Sequence, residues 1–164
     1  MYKKDDIIVY KNDICKIIDI KNINGKDYYI LTPVYDDSLK NYVPFDNVCN
    51  MRKIISKNEA EKIIDVIPSV DVINVDNDKL IENEYKNLLN EMNHIGLIKI
   101  IKTTYLRNKD RIDSKRKIGE KDDMYFKKAE KMLYTELSYA LNKSYDETKN
   151  YIIEKVSLED KKGK

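Results

Sequence analysis

The run Ile20-Lys21-Asn22-Ile23-Asn24-Gly25-Lys26-Asp27-Tyr28-Tyr29-Ile30-Leu31 sets two β-branched and aromatic segments on either side of Asn24-Gly25. Both turn residues tolerate the positive φ of a type I′ turn, so the run predicts a β-hairpin. Upstream, Ile7-Ile8-Val9-Tyr10 is a short strand, Asn12-Asp13 a turn, and Ile14 to Ile20 the strand that enters the hairpin. Downstream, residues 27–34 return, Asp36-Asp37-Ser38 turns, and residues 39–43 alternate until Pro44, which confines that strand to an edge or an end. Met51 to Ile55 is a last short strand. Five short strands in about 55 residues predict a small, strongly bent barrel of SH3-like or Tudor-like type.

From Ser56 the apolar period becomes helical. Ser56 and Glu59 form a capping box ahead of Ile63, Ile64 and Ile67, and Pro68 stops that helix. Asp76 or Asp78 caps a second helix with Ile81, Tyr85, Leu88 and Met92 on one face. Asn93-His94 breaks it, and a third helix runs from about Ile95 to Arg107. Residues 108–118 are polar and basic, a loop or frayed helix end. A long helix from about Glu120 to Asn142 carries Phe126, Ala129, Leu133, Leu137 and Leu141. Ser144 and Glu147 cap a final helix with Ile152, Ile153 and Val156, and the charged tail from Leu158 is expected to be disordered. The expected class is α+β in two segregated parts: a barrel over residues 1–56, then an all-helical domain of about five helices over 57–164.

The chain offers little for catalysis. It has one histidine, His94, read as a capping or surface imidazole. Its two cysteines, Cys15 and Cys49, lack metal-ligand spacing and read as small buried thiols of a reducing cytosol. The four glycines are scattered, so no phosphate-cradling loop is present. No enzyme activity, metal or cofactor is expected. No apolar run approaches the length of a membrane span, and a cytoplasmic monomer without membrane contact is expected.

A net charge of only +2 hides a segregation of signs. Residues 71–91 hold six acids and two bases. Residues 102–121 hold eight bases (Lys102, Arg107, Lys109, Arg111, Lys115, Arg116, Lys117 and Lys121) and three acids. Such a cluster on a helix end and loop suits phosphate contacts, or serves as a solvated linker between helices.

Several segments, in order, resemble the CarD/CdnL family of bacterial transcription regulators. Its N-terminal module is shared with the polymerase-binding domain of transcription-repair coupling factors. The resemblance lies in Asp6-Ile7-Ile8-Val9-Tyr10, in Gly25 with Tyr28-Tyr29-Ile30-Leu31, in Val43-Pro44-Phe45-Asp46-Asn47 and in residues 51–56. It continues in Tyr85-Lys86, Leu88 and Gly96, and in Gly119-Glu120-Lys121, Ala129, Met132-Leu133 and Glu136-Leu137. It implies that a Tudor-like barrel docks on the RNA polymerase β subunit by adding an edge strand. Lys21, Lys40, Asn41, Tyr42 and Val43 are then the candidate contacts. The resemblance also implies that the helical domain meets promoter DNA, weakly and without sequence specificity, near the upstream edge of the melted bubble.

Two departures bear on that implication. Many family members carry a minor-groove Trp wedge, and this chain has no Trp; the alignment puts Ile81 there, with Leu80 beside it. The basic residues that usually follow are replaced by Glu82, Asn83 and Glu84. The candidate DNA contacts are therefore Leu80, Ile81, Lys86, Arg107, Lys109, Arg111, Lys115, Arg116, Lys117 and Lys121. Packing into the core is the competing role for Ile81. The alternative reading is a polymerase-tethered adaptor whose helical half binds another protein instead of DNA.

Overall fold

The computed structural model describes residues 1–11, 13–91 and 93–162, with side chains to Ser157. The chain divides into two compact units, Met1–Ile55 and Ser56–Lys164.

The N-terminal unit is a five-stranded antiparallel sheet in the order β4-β3-β2-β1-β5. The strands are β1 (Ile7–Tyr10), β2 (Asp13–Ile23), β3 (Lys26–Pro33), β4 (Asn41–Pro44) and β5 (Met51–Lys53). Asn24 and Gly25 join β2 to β3 at φ 53° and 84°, the left-handed pair that a type I′ turn requires. The β2–β3 register shifts between Ile17 and Asp19, so Ile18 is an extra residue that bends β2. Ile8, Cys15, Ile17, Tyr29, Leu31, Val43 and Met51 close the core on one face. Phe45 stacks on Tyr29 with ring centroids 4.1 Å apart. The strand pattern and this core agree with the Tudor-like class expected from the sequence. β2 runs three residues past Ile20 because its ladder with β3 continues to the turn, beyond the core. Cys15 is buried, and burial, aided by the nearby Asp13 charge, pushes its thiol up to about 12, so it stays protonated. Cys49 is exposed, which corrects the expectation of two buried thiols. The expected turn residue Asn12 lies outside the described residues.

The second unit has five helices: α1 (Lys57–Val66), α2 (Asp78–Glu91), α3 (His94–Asp113), α4 (Glu120–Leu141) and α5 (Tyr145–Lys162). Both capping boxes form in part as read: Ser56 accepts from the Glu59 N–H at 3.2 Å, and Ser144 from the Glu147 N–H at 3.1 Å. A 3-10 turn at Ile67–Ser69 carries Pro68 and ends the first helical segment. α2 is capped neither by Asp76 nor by Asp78. Asn77 does it, accepting from the N–H groups of Lys79 and Leu80 at 2.8 and 3.3 Å.

α3 runs two turns past Arg107, to Asp113, so Lys109 and Arg111 are helical and only residues 114–119 form the loop. Lys115, at φ 59°, makes the reversal. On α4 the core position is Tyr125, while Phe126 is only part-buried. On α5 Ile152 is buried and Ile153 is exposed. The backbone of α5 is helical through residues 158–162, where disorder was expected. Met92, read as part of the α2 stripe, and Gly163 and Lys164 lie outside the described residues. No helix among the described residues is long and apolar enough to cross a membrane.

The Asn24-Gly25 turn yields the first prediction. Nothing lies within 4 Å of a Cβ placed on Gly25, so Gly25→Ala meets no clash and its cost is backbone strain alone. A drop of about 1–2 kcal/mol in unfolding free energy is expected by urea titration.

Candidate functional site

Strand β4 pairs only with β3, and its other side is an edge. The register sets Tyr28 opposite Pro44, Tyr29 opposite Val43, Ile30 opposite Tyr42 and Leu31 opposite Asn41. The Phe45 N–H donates to the Asp27 carbonyl at 3.0 Å. Antiparallel alternation then makes Val43 and Asn41 the hydrogen-bonded partners and turns the backbone polar groups of Tyr42 and Pro44 outward. Proline has no N–H, so the Tyr42 N–H is the outward donor in this stretch and Pro44 offers a carbonyl only. Because Lys21 pairs with Tyr28, the same alternation puts Lys21, Tyr28 and Tyr42 on the face opposite Tyr29 and Val43. Tyr42 is 52% exposed and Lys21 and Lys40 are exposed, whereas Asn41 is half-buried. Val43, read as part of the candidate edge segment, is 3% exposed and turns its side chain into the core.

In the second unit, the expected DNA residues gather around a buried carboxylate. Asp122 lies in the first turn of α4, where the helix dipole favours an anion. Its Oδ2 accepts from Arg107 Nε at 2.8 Å and Arg111 Nη1 at 2.6 Å, and its Oδ1 from the Tyr85 hydroxyl at 2.9 Å. Burial pushes the Asp122 carboxyl up, but these three donors outweigh it and hold it below the usual range. Arg107 also reaches Asp78, and Arg111 the Asn108 amide oxygen, which the Gly119 N–H shares. A Cβ on Gly119 would stand 2.5 Å from Arg111 Nη1, so glycine is what lets the guanidinium close on α4. Arg107 and Arg111, both read as candidate DNA contacts, are thus already engaged within the fold, with side chains 29% and 21% exposed.

The other cations divide cleanly. Lys121 and Lys86 both bond Glu82, at 2.9 and 3.7 Å. Arg116 pairs with Asp110 at 3.2 Å on the surface. Among the described residues, Lys109, Lys115 and Lys117 have no carboxylate partner. Ile81 is 3% exposed and packs in the core, so it is no surface wedge; Leu80, 56% exposed, is the solvent-facing neighbour. His94 bonds Glu136 through Nε2 at 2.8 Å. Among the described residues, no group of three or more His, Cys, Asp or Glu is arranged to hold a metal ion.

Residues 2–55 match the CarD-like/TRCF RID domain. The N-terminal unit is a member of that domain family. A RID domain interacts with RNA polymerase, which gives this unit a transcription-related, polymerase-binding role. The match spans about a third of the chain. No curated protein matches the chain. Sequence reading of the RID domain missed Tyr28 on the Lys21–Tyr42 face. Period-two counting from the core residue Tyr29 finds it.

The carboxylate network sets the second prediction. Asp122→Ala leaves two guanidinium groups facing each other, and unfolding free energy is expected to fall by about 3–5 kcal/mol in urea titration. Acid acts on the same group. Asp122, Glu61 and Glu82 are all held below their ordinary values, by hydrogen bonds from Arg107 and Arg111, from Lys155, and from Lys121 respectively. The unfolded chain therefore binds protons more readily than the folded one. Their stabilisation is complete above about pH 4–5 and is lost as pH falls through the depressed values. Thermal melts between pH 7 and pH 2 are expected to decline only in the acid range, and more shallowly in Asp122→Ala.

Proposed function

We propose that the chain is a transcription regulator that docks on the RNA polymerase β subunit and modulates promoter open-complex stability. Docking uses the β4 edge of the RID domain, with Lys21, Lys40, Asn41 and Tyr42 in contact. The helical unit contributes through promoter DNA near the upstream edge of the bubble. The reading has no catalytic step. The observation that carries it is the match of residues 2–55 to the RID domain, taken with an unpaired β4 edge. For the helical unit, support comes from the ordered Gly119-Glu120-Lys121 to Glu136-Leu137 resemblance and from the three lysines left without partners. A regulator of this kind shifts promoter opening by no more than its difference in affinity for open and closed complexes.

A second reading, an adaptor whose helical unit binds a protein, is favoured by two facts at the position where the family carries its Trp. Ile81 is buried, and Glu82 neutralises Lys86 and Lys121. Full polymerase binding without any change in promoter melting would select it.

Two measurements test the leading reading. Tyr42→Pro removes an outward N–H that β3 does not use. It also removes the exposed Tyr42 ring, so binding of the full chain to the β-subunit lobe is expected to weaken by at least the roughly two- to tenfold worth of one net hydrogen bond, with folding retained. Undiminished binding would move the interface off β4. The triple substitution of Lys109, Lys115 and Lys117 by Ala is expected to flatten the log–log salt dependence of DNA binding by roughly 0.9 per lost phosphate contact. An unchanged slope removes these lysines from the DNA face.

A further inference from the structure

One of the three lysines, Lys109, lines a recess of about 280 Å³ with Tyr105, Asn108, Ile112, Ile118, Asp123 and Phe126, and Lys115 and Lys117 stand in the chain between Ile112 and Ile118. Four of these matter most. Tyr105 is 56% exposed although it is a large aromatic on a long helix, and Phe126 reaches the same recess from α4. Ile112 and Ile118 are also exposed, and they bracket the loop that carries Lys115 and Lys117. Exposed apolar side chains set among unpaired cations are unfavourable for a solvated linker and suit a ligand that is both flat and anionic.

The polar groups narrow the ligand further. Asn108 is anchored through its Oδ1 by Arg111 and the Gly119 N–H, at 2.6 and 2.8 Å. That fixes the amide of a residue that lines the recess, and its Nδ2 is the group it has left to donate. Asp123, also on the wall, is paired with Lys127 at 2.9 Å and keeps acceptor capacity. A planar heterocycle with donors and acceptors on its rim, attached to a phosphodiester chain, meets every one of these features. Stacked bases within a duplex keep their faces covered, so the fit is to an unpaired base.

The geometry points to a subsite for an unstacked nucleobase of single-stranded DNA. Tyr105 and Phe126 supply aromatic surface, Asn108 and Asp123 address the base edge, and Lys109, Lys115 and Lys117 hold the flanking phosphates. This deepens the DNA arm of the proposed function and rests on it: a regulator at the edge of a melted bubble meets single strand as well as duplex.

The test is fluorescence anisotropy with the full chain at fixed salt, using a labelled single-stranded oligonucleotide and the duplex of the same sequence. The single strand is expected to bind more tightly. Tyr105→Ala removes an exposed side chain, and it is expected to weaken single-strand binding at least about fivefold while leaving duplex binding within about twofold. Tyr105→Phe, which keeps the ring, is expected to restore it. Duplex binding with single-strand affinity untouched by Tyr105→Ala overturns the base subsite and leaves the DNA reading standing. Equal losses on both forms overturn it as well. Binding to neither form removes nucleic acid from the helical unit altogether.

Discussion

The helical unit depends on one buried negative charge. Asp122 ties α2 through Tyr85 and α3 through Arg107 and Arg111 to the first turn of α4. A carboxylate so placed is tolerable because three donors, two of them charged, meet its oxygens and because the helix dipole lies in its favour. Apolar packing by Ile81, Leu97, Ile100, Leu133 and Leu137 supplies the bulk of the stabilisation. Packing of that kind is permissive about angle and register. The forked hydrogen bonds at Asp122 are not, and Gly119 is the residue that gives them room.

The same network decides what the surface can offer. Counted along the sequence, the segment from Lys102 to Lys121 is a dense basic cluster. Counted in space, most of it is already spent within the fold: Lys102 Nζ donates to the carbonyls of Ile67, Pro68 and Val70, and Lys121 is held by Glu82. What remains for a polyanion is a small group at the end of α3 and in the loop after it. The electrostatic attraction is accordingly modest and local, in keeping with a net charge of +2 on the whole chain.

Much of the architecture was legible because it rests on short-range physics. The Asn24-Gly25 turn, the caps at Ser56 and Ser144 and the stop at Pro68 are local steric or hydrogen-bonding constraints, so single residues disclose them. The errors share a different cause. Residues 108–113 look like a loop by composition, but Arg107 and Arg111 find their carboxylate on α4, and that distant partner carries α3 two turns further. Ile81 could be seen on an apolar stripe, yet only the packed unit separates a core residue from a surface wedge. Phe126 was misjudged for the same reason, since period alone does not say where a stripe ends, whereas Cys49 was judged by residue type and falls in the turn before β5. Tyr28 follows from counting by two from Tyr29, and its pairing with Lys21 from the two-residue turn, but setting Tyr42 on the same face required the β3–β4 register, which spans the longer connection through residues 34–40.

Strand β4 ends in a residue that cannot donate. An open sheet edge is a standing invitation to any extended chain, including other copies of the same protein, and long edges grow into fibrils. Here the backbone of β4 provides one outward donor at Tyr42 and then falls silent at Pro44. Recruitment by main chain alone is therefore too weak to be indiscriminate. Choice of companion passes to the side chains around that single donor, and an edge with so few outward donors is a poor template for strand-by-strand growth.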